Sequence, residues 1–85
     1  MSHHTRMSTQ ETLAAVVRQI KAAIPDAVVE ADGGGGHYTI AVTSRAFEGL
    51  NTLKKKRLVY AAITDLMAGN DAPIHAVDRL DTFTP

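Results

Sequence analysis

Eighty-five residues suffice for one domain with a modest core and correspondingly marginal stability. Nine basic and nine acidic residues cancel, so no global field holds the chain on nucleic acid, and an apolar content of 45% with 5% aromatics is that of a soluble globular chain. The absence of cysteine excludes a disulfide framework, a thiolate nucleophile and a zinc-finger-type site and fits a reducing cytoplasm, while no apolar run approaches the ~20 residues that span a bilayer.

Residues 1–7, with His3 and His4, read as a disordered leader or a cloning remnant, and 8–85 as a single domain. Ser8-Thr9-Gln10-Glu11 fits a capping box and opens the first helix. Leu13, Val16, Val17, Ile20 and Ile24 then recur at helical spacing until Pro25 halts the run. Ala27–Ala31 is short and β-branched and reads as a strand. Four glycines, Gly33, Gly34, Gly35 and Gly36, follow Asp32. The next six residues, from His37 to Val42, alternate cleanly, with Tyr38, Ile40 and Val42 on one face of a second strand. The two strands most simply pair as an antiparallel hairpin around a flexible glycine loop longer than the favoured two-residue turns.

Ser44 to Leu50 reads as irregular or one short helical turn anchored by Phe47. Asn51 is a good N-cap for a helix from Thr52 to Met67 or Ala68, with Gly69 as its stop. Leu53, Val59, Tyr60, Ile63 and Leu66 supply its expected apolar face. After a turn at Asn70–Pro73, Ile74 to Leu80 reads as the third strand and 81–85 as a tail. A helix between the second and third strands implies that they run parallel if they share a sheet. Parallel strands begin at one end, so His37 and His75, near the starts of these two strands, are expected at one sheet edge beside the glycines.

Two imidazoles at one edge suit iron, zinc or copper, yet two protein ligands are too few for a closed site. Read structurally, His75 is a satisfied histidine near a strand end and His37 an exposed loop residue. Lys54, Lys55, Lys56 and Arg57 form the single basic run; consecutive helical residues wrap around the axis, so they cannot share one surface. Cations at a helix start oppose its dipole. The run is therefore a solvated helix start, a dock for an acidic partner, or a DNA contact. The glycine run formally fits GxxG but joins two strands and precedes no helix, so it matches no dinucleotide fingerprint. Ser44 has no apparent base, the acidic residues are scattered, and no catalytic activity is expected.

Phe47-Glu48-Gly49, the basic run leading into Arg57-Leu58-Val59-Tyr60-Ala61-Ala62, Ile74-His75-Ala76-Val77 and Thr84-Pro85 occur in an order and spacing that resembles the BolA family. The resemblance spans roughly Leu13 to Pro85 and implies an α+β fold of the BolA or class II KH-like type. Its order is α-β-β-α(short)-α-β, with a three-stranded mixed sheet and helices on one face. It further implies a non-catalytic partner of a monothiol glutaredoxin that shares a [2Fe-2S] cluster held by glutaredoxin cysteine and glutathione sulfur, in iron homeostasis or cluster assembly. This side would offer the histidine of Ile-His-Ala, here His75, plus a loop cysteine or histidine. Where many relatives place that second residue this chain has Gly34, and the loop-side candidate is His37. Lys54–Arg57 would help dock the partner and the glycines would admit it. Family members are also credited with DNA binding, which makes a small transcriptional regulator working through helix 52–68 the alternative. Alone, the protein is expected to be a monomer or a weak homodimer.

Overall fold

The computed structural model describes residues 7–85. Of the leader expected over 1–7, only Met7 is among them; the rest lies outside the described residues. Helix α1 (Thr9–Ala23) starts as its capping box requires: the Ser8 hydroxyl accepts from the Glu11 amide at 3.1 Å, and the Glu11 carboxylate accepts from the Ser8 amide at 2.8 Å. Its inner face carries Thr12, Ala15, Val16 and Ile20, with Ile24 buried at the cap and Leu13 and Val17 half-buried along the flank. Thr12 is tolerated in the core because its hydroxyl donates to the Ser8 carbonyl one turn back, at 3.0 Å.

Strands β1 (Val28–Gly34), β2 (His37–Thr43) and β3 (Ala76–Phe83) form one sheet in that order, β1 antiparallel and β3 parallel to β2. The α+β class, the mixed sheet and the parallel crossover agree with the sequence reading. The hairpin differs from it. Gly33 and Gly34 are the last residues of β1, opposite Tyr38 and His37, so the loop is the two-residue turn Gly35-Gly36. Both turn residues have positive φ, +62° and +86°, as a type I′ hairpin turn demands. The strands can zip this far because Gly33 has no side chain: a Cβ there would fall on the backbone carbonyl of His37 and lie 2.8 Å from the Tyr38 Cα.

The alternation along β2 separates the faces. Tyr38, Ile40 and Val42 point at the helices and are buried, whereas His37, Thr39 and Ala41 line the helix-free face with Glu30 and Asp32 of β1 and Arg79 and Asp81 of β3. Against the buried row pack α1, α2 (Thr52–Ala62) and the short α3 (Thr64–Met67), with Phe47 of a 3-10 turn at Arg45–Phe47 completely enclosed. The expected continuous helix over 52–68 breaks at Ile63, whose backbone leaves helical geometry at φ −119°, ψ 17°. Ile63 is fully buried, and the Thr64 hydroxyl bonds back to the Tyr60 carbonyl at 3.0 Å, a competition for backbone acceptors that bends helices. Leu53 does not join the apolar face. Val59 is completely buried and Leu53 lies off its side of the axis, 57% exposed. The third strand also runs later than its pattern suggested. Ile74 precedes it as a core residue, and the expected tail is strand as far as Phe83, whose carbonyl accepts from the Ser44 amide.

Asp26 secures the far end of the sheet. Its carboxylate accepts from the buried Ser44 hydroxyl at 2.6 Å and the Arg45 amide at 2.9 Å, while the Ser44 oxygen accepts from the Ala46 amide. Those two bonds, the Ser44 hydroxyl first, hold the Asp26 carboxyl below the ordinary carboxylate range. A depressed folded-state pKa contributes stability above the unfolded value of about 3.9, and that contribution is lost as pH falls through the folded value. Asp26→Asn is therefore expected to lower the urea midpoint at pH 7 and to converge with wild type at an acid pH below the folded value. An equal deficit at both pH values would contradict this role for the charge.

Candidate functional site

Parallel pairing brings the starts of β2 and β3 together beside the hairpin turn. His37 is the Cα partner of Ala76, and the Gly36 carbonyl accepts from both the His75 amide at 2.8 Å and the Ala76 amide at 3.0 Å. The expected meeting of His37, His75 and the glycines at one edge is thus what the fold provides. The rings themselves part company across the sheet. His37 belongs to the helix-free row, where its Nδ1 lies 3.1 Å from the Asp78 carboxylate. Asp78 reaches it through an irregularity in β3: Tyr38 pairs with Val77 and Thr39 with Arg79, leaving Asp78 as the extra residue.

His75, by contrast, is exposed on the helix side of the edge. It borders a cleft of about 400 Å³ with Gly35, Gly36, Thr9 at the start of α1, and Asn70 and Asp71 of the preceding turn. Its ring stands against the Cα of Gly36, so close that a Cβ on residue 36 would lie 2.8 Å from Nδ1. Behind it Ile74 is anchored in the core, and the Ile74 amide donates to the Leu66 carbonyl at 3.0 Å. The backbone on both sides of His75 is therefore fixed while its imidazole faces solvent. Such a histidine can bind a metal without moving the chain. Among the described residues, no three His, Asp or Glu side chains gather as a metal-binding group.

The basic run divides as a wrapped helix must. Lys54 and Arg57 are exposed, and Lys55 and Lys56 are half-buried, flanking the side that carries Val59. The only carboxylate ion pairs among the described residues are His37–Asp78 and Arg79–Asp81, so the four cations have no acidic partner there. Lys54 and Arg57 share their side of α2 with Leu53 and Leu58, which are 57% and 39% exposed. The result is a mixed basic and apolar face.

Asp78, Thr9, Asn70 and Asp71 stand at or beside this edge but escaped sequence reasoning. In the sequence Asp78 is one of the scattered acidic residues, because an irregular register leaves no periodic trace. The turn residues carry no pattern beyond turn composition.

The BolA-like protein family model matches residues 9–85. BolA-like protein 1 of Bos taurus is 44% identical over 45 residues, which are 53% of this chain and 31% of that protein; the chain thus matches about a third of the length of such curated relatives. Among solved structures, a bolA protein homologue from Coxiella burnetii superposes with a TM-score of 0.71 at 31% identity, covering 93% of this chain and 92% of that one. The solution structure of BolA1 protein from Mus musculus gives a TM-score of 0.72 at 28% identity, covering all of this chain and 74% of that one. With its sheet order, its 3-10 turn at Phe47 and its Ile-His-Ala edge in place, the chain belongs to the BolA-like family.

Proposed function

We propose that this protein is a non-catalytic partner of a monothiol glutaredoxin and that His75 is its ligand to a shared [2Fe-2S] cluster, in the service of iron homeostasis or cluster assembly. The observation that carries this reading is a backbone-anchored, solvent-facing imidazole at the rim of a cleft, with no group of three ligating side chains among the described residues to close a site around it. One nitrogen donor is a fit for one corner of a cluster and a misfit for a closed site of this chain's own. The remaining ligands are thiolates, which a cysteine-free chain must draw from elsewhere: here, from the glutaredoxin cysteine and glutathione. A reducing compartment such as the cytoplasm keeps those thiols available. Bound at one iron, histidine in place of thiolate raises the cluster's potential, and it does so only as the neutral imidazole.

The other residues take supporting parts. His37, held by Asp78 on the helix-free face, stays at the edge as a brace between β2 and β3 and is not assigned a bond to iron. Gly35 and Gly36 keep the approach to His75 free of side chains. The Leu53, Lys54, Arg57 and Leu58 face suits an acidic protein surface, since interfaces combine apolar anchors with complementary charge. The cations, without an acidic partner among the described residues, also support a second reading, contact with DNA phosphates. Zero net charge and the exposed leucines on either side of the cations favour the protein partner.

Two outcomes are expected. Mixed with cluster-loaded monothiol glutaredoxin, the wild type should change the visible circular dichroism of the cluster, His37→Ala should retain that change, and His75→Ala should lose it; a full change with His75→Ala would remove the ligand assignment. Lys54→Glu combined with Arg57→Glu should weaken pairing with glutaredoxin by about tenfold or more in calorimetry while leaving the melting temperature near wild type. Unaltered pairing, together with duplex binding that falls steeply with salt, would instead favour the DNA reading.

A further inference from the structure

We infer that Gly36 is the positioning residue for His75: its bare α-carbon is the platform on which the imidazole rests, leaving Nε2 as the nitrogen free to coordinate. The inference deepens the reading of His75 as a cluster ligand and rests on it. Two independent contacts carry it. The Gly36 carbonyl accepts from the amides of both His75 and Ala76, which fixes the backbone that bears the ring. The Gly36 Cα then meets the ring itself. A Cβ there would lie 2.8 Å from Nδ1, 2.9 Å from Cγ and 3.3 Å from the His75 Cβ, so any side chain at 36 must push the imidazole off its seat.

These contacts involve the Cγ–Nδ1 edge, so Nε2 is the ring nitrogen farther from the turn. Histidines that bind metals commonly have their orientation set by what meets the other ring nitrogen. Here a glycine does this by shape.

The turn contains its own control. Gly35 and Gly36 both have left-handed φ, +62° and +86°, so an alanine at either position carries a similar backbone penalty. A Cβ on Gly35, however, meets nothing within 4 Å. A merely structural role for the turn makes the two positions equivalent. A positioning role separates them.

The test compares Gly35→Ala with Gly36→Ala in the full chain. Both should lower the melting temperature, Gly36→Ala by at least as much as Gly35→Ala. In the protein alone, long-range proton–nitrogen NMR should show the His75 ring resonances displaced by Gly36→Ala and unmoved by Gly35→Ala. Unmoved resonances in Gly36→Ala, or equal displacement in both, would overturn the inference. Should Gly36→Ala fail to fold, the wild type still decides: nuclear Overhauser contacts between the Gly36 α-protons and the His75 ring protons are expected, and their absence is refuting. With cluster-loaded glutaredoxin, Gly36→Ala should need about 10–100-fold more protein for half the spectral change, as losses of ligand-orienting neighbours do. Gly35→Ala, whose added Cβ meets nothing within 4 Å, should need less additional protein than Gly36→Ala. If the wild type leaves the cluster spectrum unchanged, the ligand reading fails, and the NMR comparison judges the positioning claim alone.

Discussion

The carbonyl oxygen of Gly36 accepts two amides, those of His75 and Ala76, and in doing so ties the hairpin turn to the start of the third strand. Much of the candidate site depends on that junction. It sets where the parallel β2–β3 pairing begins, and it holds the His75 backbone at the sheet edge. It also demands a residue with positive φ and no side chain at the crossing point. The same junction explains why a histidine can be both rigidly mounted and solvent-facing. Its neighbour Ile74 is sunk in the core, its own amide is engaged, and its ring lies outside the packed layer.

From that edge the molecule divides into two unlike faces. On the helix side, Tyr38, Ile40 and Val42 meet α1, Phe47 and the α2–α3 pair to form the core, and the cleft opens where this layer ends. On the other side, His37, Asp78, Arg79 and Asp81 make an open polar surface whose ion pairs are more than a third exposed. Exposed pairs of this kind contribute about 0–1 kcal/mol, so the His37–Asp78 contact has little weight in overall stability. Its effect is local: it engages the His37 ring on the face opposite the cleft. A domain with one presented nitrogen and a basic, leucine-bearing helix has the character of half a site.

Much of this was legible in the residues. The capping box at Ser8 and Glu11, the Asn51 cap and the enclosure of Phe47 all follow from short-range chemistry that tertiary structure left intact. The parallel crossover followed from element order alone, and with it the common edge of His37 and His75. What was not legible required contacts made at a distance. Gly33 and Gly34 read as loop because glycine is poor in strands, yet Gly33 is in β1 because the backbone of β2 crosses it closely. The break at Ile63 depends on a buried side chain and a hydroxyl bonding back along the helix. The divergence of the two imidazoles depends on pleat and on the extra residue in β3, and neither the spacing of the histidines nor their apolar neighbours encodes it.

The central claim concerns a bond between iron and one nitrogen of this chain, so nitrogen hyperfine coupling addresses it most directly. The chain would be labelled with nitrogen-15 in histidine only, paired with unlabelled cluster-loaded monothiol glutaredoxin, reduced, and measured by pulsed electron-nuclear double resonance. A strong coupling to a single nitrogen-15, still present in His37→Ala, is the expected result. Absence of strong nitrogen-15 coupling in the wild-type complex would contradict the claim.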